Sequence, residues 1–252
     1  MRVLLACAIS LLCPVAWSAT GSHEIQTCTT TGTGPYTSAA FTPAAGDMLV
    51  VMAAVSDTAA TATLSSSVGT TFSIIAPFST AAYRTSLDRV YVFIANTYST
   101  AVSQTVTISV SGDPGTGACI AVLAVQGMKR LGQGAVRDGQ AARQQNQAGG
   151  GTPAPAFASA VLTANATVGV IGNNSNPAAM TPPSGWTEGS TDGGYATPTT
   201  GFEYVFRASG FTGTTVTWGS TSASTFASFI LELDTSGCET SNFGTLMGVG
   251  CQ

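Results

Sequence analysis

Charge is what this chain lacks most. Asp, Glu, Lys and Arg make up 8% of its 252 residues, against about 25% in ordinary soluble domains. So few basic residues cannot form the stripe that neutralises a phosphate backbone, which argues against nucleic acid as a partner. The formal net charge of −4 also has the wrong sign for an anionic membrane surface. Histidine is nearly missing, since His23 is the single one. With one histidine and no Cys-x-x-Cys pair, no zinc spacing exists. There is no GxSxG elbow, no HExxH and no glycine-rich phosphate loop after a strand. The chain is therefore expected to be no enzyme, and to carry no cofactor and no metal.

Long apolar runs are confined to the N-terminus. Arg2, the apolar stretch Val3–Ala16 and the small residues around Ser18 and Ala19 have the form of a secretory leader. The run is too short for a membrane helix, and no later segment is long and apolar enough to replace it. The expectation is a leader over 1–19 and a secreted or cell-surface chain of about 230 residues, enough for one β-sandwich domain. Removing Arg2 from the 8 basic residues leaves 7 against 12 acidic ones, a formal charge of −5. Of the six cysteines, Cys7 and Cys13 go with the leader, and Cys28, Cys119, Cys238 and Cys251 stay. An even number in an exported chain points to two disulfides, with three connectivities open. Cys238–Cys251 is favoured as a local loop in a Gly-rich tail, which leaves Cys28–Cys119.

What the chain does have is repetition. Tyr91-Val92-Phe93 returns as Tyr204-Val205-Phe206, and Thr105-Val106-Thr107 as Thr215-Val216-Thr217. Apolar runs open each half at Met48–Val55 and Thr167–Ile171. Gly-aromatic turns follow at Gly69–Phe72 and Gly185-Trp186, and closing strands at Cys119–Val125 and Phe226–Leu233. Alternation such as Val106, Ile108, Val110 against Thr107 and Ser109 is the period of a half-buried strand. The fold class is therefore all-β, an antiparallel sandwich of jelly-roll type built from two pseudo-repeats over 20–235. The repeats fall near 46–126 and 164–234, with a linker at 127–155 and a disulfide-closed tail at 236–252.

Met48–Val55, Tyr91–Ala95 and Cys119–Val125 are apolar on both faces, so each needs cover on both sides. That cover comes either from the chain's own loops or from a neighbouring molecule. The linker holds Lys129, Arg130, Arg137 and Arg143, and a short helix fits Ala135–Gln147. Its basic residues suit either a solvated connection or a docking arm.

The patterns Gly46–Val51 (GDMLVV), Pro182–Thr187 (PPSGWT), Glu203–Phe206 (EYVF) and Phe229–Leu233 (FILEL) resemble one another's counterparts in a known group. Together they are similar to the two-repeat jelly-roll domains of bacterial surface proteins and phage structural proteins. That resemblance spans roughly Ala40–Asp234 and implies a β-sandwich used for building or binding. It carries no catalytic residues across.

Candidate chemistry is sparse. Glu188, Asp192 and Glu203 form the nearest carboxylate grouping, and glycosidases need two carboxyls about 5–10 Å apart. Glu203 is instead expected on a solvent face beside Arg207. Asp57, Asp113 and Asp192 sit near turns, without a calcium-loop pattern. His23 reads as a polar residue near the mature terminus. Sugar binding without catalysis needs exposed aromatic faces with amides or carboxylates beside them. Tyr195 and Trp186, with Asn174 and Asp192, are the ligand candidates; Tyr83, Tyr98 and Asn173 are neighbours in type. Trp186 has Phe72 as its repeat partner, which favours packing over binding. The leading expectation is an exported structural subunit of an extracellular assembly, a homo-oligomer or polymer. A glycan-binding adhesin and a phage-type virion protein are the alternatives.

Overall fold

The computed structural model describes residues 19–29, 32–59, 61–75, 82–84, 88–112, 117–174, 180–189, 193–196, 199–219 and 225–235. The body of the leader, Asp113, Asp192, Cys238, Cys251 and the tail from 236 lie outside these residues. The first half contains β1 (Thr20–Thr29), β2 (Tyr36–Thr37), β3 (Met48–Ser56), β4 (Ala62–Ser66) and β5 (Phe72–Ile74). It continues with β6 (Ala82–Arg84), β7 (Asp88–Ala95), β8 (Val106–Val110) and β9 (Ala118–Gln126). The second half contains β10 (Val136–Asn146), β11 (Ala166–Asn173), β12 (Thr187–Glu188), β13 (Gly193–Ala196), β14 (Thr199–Arg207) and β15 (Phe226–Leu233). All of the pairings between them are antiparallel. The protein is an all-β antiparallel sandwich.

Strand order makes the repetition concrete. One large sheet runs β1-β9-β3-β7-β5 with β6 on β7, and the other runs β10-β15-β11-β14-β12 with β13 on β14. Each position in one has its counterpart in the other. A third sheet, β2-β8-β4, lies outside the first. The second half keeps a remnant of it in the bridge between Ala156 and Thr215. Edge strand β1 contacts β13 of the other half, and β10 contacts β6. A two-fold axis between the large sheets would produce this exchange of edges.

Three apolar layers follow. The central one joins the large sheets face to face through Met48, Val50, Met52, Val92, Leu123, Val168, Tyr204 and Phe229, among others. A second lies between β3, β7 and β9 and the small sheet, through Leu49, Val51, Tyr91, Phe93, Val106 and Ile108. A third covers the outside of β11, β14 and β15 with Phe157, Trp186, Val216 and Trp218. The doubly apolar strands thus find both layers inside one chain. β3 and β7 are buried along their whole length, and β9 all but its last residue. β2, β8 and β4 supply the outer cover, and the second large sheet, with Met128 and Ala135 of the connection, supplies the inner one.

The sequence repeat hides a slip of one residue. Val50 lies between Ile94 and Leu123, and Val168 lies between Phe206 and Leu231. Val92 is therefore the counterpart of Tyr204, and Tyr91 that of Glu203. Tyr91 and Phe93 face the outer layer, whereas Tyr204 and Phe206 face the central one. Because side chains alternate with period two, a one-residue shift exchanges the faces.

The connection at 127–155 is mostly structured and is not helical. A single 3-10 turn at Gly132–Ala135 leads into the eleven-residue strand β10. Ala141–Asn146 pair with Leu231–Phe226, so the second unit begins in the expected linker. Pairing with β15 supplies the order that the polar sequence VRDGQAARQQN does not advertise, a tertiary override of weak local preference. Cys28 and Cys119 are opposed in the β1–β9 register and form the expected disulfide.

Candidate functional site

Of the loop candidates Tyr195, Trp186, Asn174 and Asp192, Trp186 and Asn174 are described with their side chains. Trp186 is 8% exposed and packs edge-on against Phe211, with centroids 5.6 Å apart. Its ring fills the outer layer beside Val205 and is not offered to a ligand. Asn174 uses its side-chain oxygen to accept from the Thr225 N–H at 3.1 Å, closing the approach to β15. Tyr195 stands opposite Thr200 in the β13–β14 hairpin; its side chain, like Asp192, is outside the described set. Tyr83 is buried, with its hydroxyl 3.4 Å from Thr200 Oγ1. Tyr98 is 43% exposed but donates to the Met128 carbonyl at 2.8 Å.

The carboxylates are corrected as well. Glu203 is 1% exposed, so it does not sit on a solvent face. Arg207 donates instead to the Ser209 and Gly210 carbonyls and lies over the Phe211 ring. Asp57 is buried, where Oδ2 accepts from the Tyr91 hydroxyl at 2.5 Å and Oδ1 from the Ala59 N–H at 2.9 Å. Burial first, and the Asp57 carboxylate second, push the Tyr91 hydroxyl far above the ordinary tyrosine range. Among the described residues no group of three or more His, Cys, Asp and Glu side chains could hold a metal ion.

Glu232 was not singled out by the sequence, yet it is the best-anchored carboxylate described. It is fully buried and accepts from Gln140 at 3.0 Å, Asn165 at 2.7 Å and the Leu162 N–H at 3.0 Å. Arg137 Nε lies 2.7 Å from it. This basic residue of the connection is thus occupied inside the fold. His23 is not frayed either. It belongs to β1 and its Nδ1 is hydrogen-bonded to the Tyr204 hydroxyl on β14. Burial lowers the pKa of His23; burial, then the nearby Glu24, raises that of Tyr204.

The most capable concavity lies elsewhere. β4 ends the small sheet, β5 ends the first large sheet, and a groove of about 570 Å³ opens between them. Leu64, Phe72, Ile74 and Phe93 form its apolar lining, and the first three are half-buried. Thr63, Ser65 and Thr70 are among the hydroxyl residues around it. Among the described residues, no ionisable one lines this groove. Its size falls in the range of about 300–1,000 Å³ used for small ligands. Phe72 is the repeat counterpart of Trp186, so the same position is sealed in one unit and open in the other. A run of seven Ser and Thr residues between Thr61 and Thr71 was the available signal. Comparison with protein-family models, curated proteins and solved structures finds no match for the chain.

Proposed function

We propose that this is an exported, non-catalytic binding module, whose first unit engages a ligand and whose second unit is a rigid support. The observation that carries this is the difference between two like units. The second covers its outer face with Trp186, Trp218 and Phe157, and the first leaves the β4–β5 groove open. The leader motif and the Cys28–Cys119 disulfide support export. Among the described residues no helix is long and apolar enough to cross a membrane. We read each unit as a jelly roll in its own right, since β1-β9-β3-β7 and β2-β8-β4 interleave first with last strands. This extends the motif resemblance to surface and virion proteins.

The test uses Nile red, an uncharged solvatochromic probe, with the wild-type chain and a Thr70→Trp variant that fills the groove. Saturable binding by wild type and its loss in the variant support the reading. No binding, or equal binding by both proteins, removes it.

Assembly retains one specific support. β1 and β10 each end a large sheet, so each has one edge that no described strand pairs. Both carry a register irregularity, between His23 and Ile25 and between Val136 and Ala141, a feature that blunts edge pairing. Light-scattering mass against concentration decides it: polymers that grow with concentration make the protein a building block, and a constant monomer ends that reading.

A further inference from the structure

We infer that the β4–β5 groove takes an uncharged saccharide. This rests on the binding reading above and goes further by naming the ligand class. Three features of the groove converge on it. Phe72, half-buried on β5, contributes aromatic surface, which suits the apolar C–H face of a sugar ring. Thr70 and Thr71, in the turn between the two walls, add hydroxyls, each able both to donate and to accept, as sugar hydroxyls do. Among the described residues, the lining carries no Asp, Glu, Lys, Arg or His. A sialylated or uronic-acid sugar would lose its hydration there and gain no counter-charge. A purely apolar ligand would leave the hydroxyl rim without new partners.

The floor is held by the fold, not by the ligand. Phe72 pairs with Ala95, and Ile74 with Phe93, so β5 is fixed on β7. Leu64 is opposite Ile108, so β4 is fixed on β8. Ser66 Oγ accepts from the Thr70 N–H at 2.9 Å and sets the turn that joins the two walls. The site is therefore preformed, and binding does not require the sheets to part.

The experiment titrates the mature protein with neutral gluco-, galacto- and manno-configured trisaccharides and with sialyl and uronic counterparts, by saturation-transfer NMR. Nile red reports groove occupancy in parallel. At least one neutral trisaccharide binds and displaces Nile red, and the charged sugars do not. Phe72→Leu keeps the floor apolar but removes the ring, and it weakens the sugar about tenfold, which is roughly 1.4 kcal/mol. Thr70→Val/Thr71→Val leaves the core alone and produces a similar loss. If Nile red enters the groove but no neutral sugar displaces it, the saccharide assignment falls and the binding reading stands. Sugar binding that is unchanged in both variants also overturns the assignment. If neither probe nor sugar binds, both readings fall together.

Discussion

Arg137 reaches from β10 to Glu232 on β15, with Nε 2.7 Å from the carboxylate oxygen, and the Glu232 side chain has no exposed surface. The contact ties the first strand of the second unit to its last. Gln140 and Asn165 complete the shell, and Gln140 also donates to the Ser159 carbonyl at 2.7 Å. One carboxylate thus gathers β10, β15 and the segment before β11.

Glu232→Ala should cost about 3–5 kcal/mol, because it leaves the Arg137 Nε and the buried Asn165 amide without this acceptor and takes one of two from Gln140. Urea unfolding of variant and wild type measures it. A loss below about 1 kcal/mol would mean that water or repacking replaces the carboxylate readily.

Gly172→Val should cost about 1–3 kcal/mol through overpacking. A Cβ there would stand 2.7 Å from Val90 Cγ2 and 2.9 Å from the Tyr83 ring, where β11 packs against β6 and β7 of the other unit. Gly134→Ala meets nothing within 4 Å and serves as the control. Thermal melts of the two variants should separate clearly.

The His23–Tyr204 hydrogen bond joins the units at the β1 edge and should respond to pH. Burial lowers the folded-state pKa of His23, so the unfolded chain binds the proton more readily. This contribution to stability is present above the unfolded value of about 6.5 and is lost as pH falls through the folded one. Glu24 and Asp47 have raised pKa values, chiefly through burial, and act with the opposite sign at lower pH. Glu188 and Tyr204 are the other ionisable groups at this edge. Denaturation midpoints of wild type and His23→Gln between pH 7.5 and pH 5.5 should therefore differ in slope, with the variant flatter.

Cys28→Ser/Cys119→Ser should lose about 4–5 kcal/mol in the chain-entropy picture, since the bridge spans 91 residues. Non-reducing peptide maps would show the Cys28–Cys119 peptide directly. The same maps test the Cys238–Cys251 pairing.

Several parts of this architecture were readable from residues alone. The unbroken apolar runs Met48–Val55 and Cys119–Val125 announced strands covered on both sides, and collinear motifs announced two units. The even number of cysteines announced disulfides but left three connectivities open, and the β1–β9 register decides for Cys28–Cys119. Other parts were not readable, and β10 shows why. Its sequence has no apolar alternation and only Val136 as a strong β-former, and it is a strand because β15 offers it a ladder. Glu203 and Glu232 were natural choices for a wet face, since each sits opposite apolar neighbours on an alternating strand. The second unit's outer cover buries both.

Sequence by itself determined the fold class and the places where the apolar strands run, because period-two patterning and apolar runs are written in neighbours along the chain. Only tertiary structure decided which layer covers each face, which tripeptide faces which core, and which unit stays open. Those outcomes depend on pairing between segments far apart in sequence. The difference between the sealed Trp186 and the half-open Phe72 arises from what each outer layer brings across, and no local pattern encodes it.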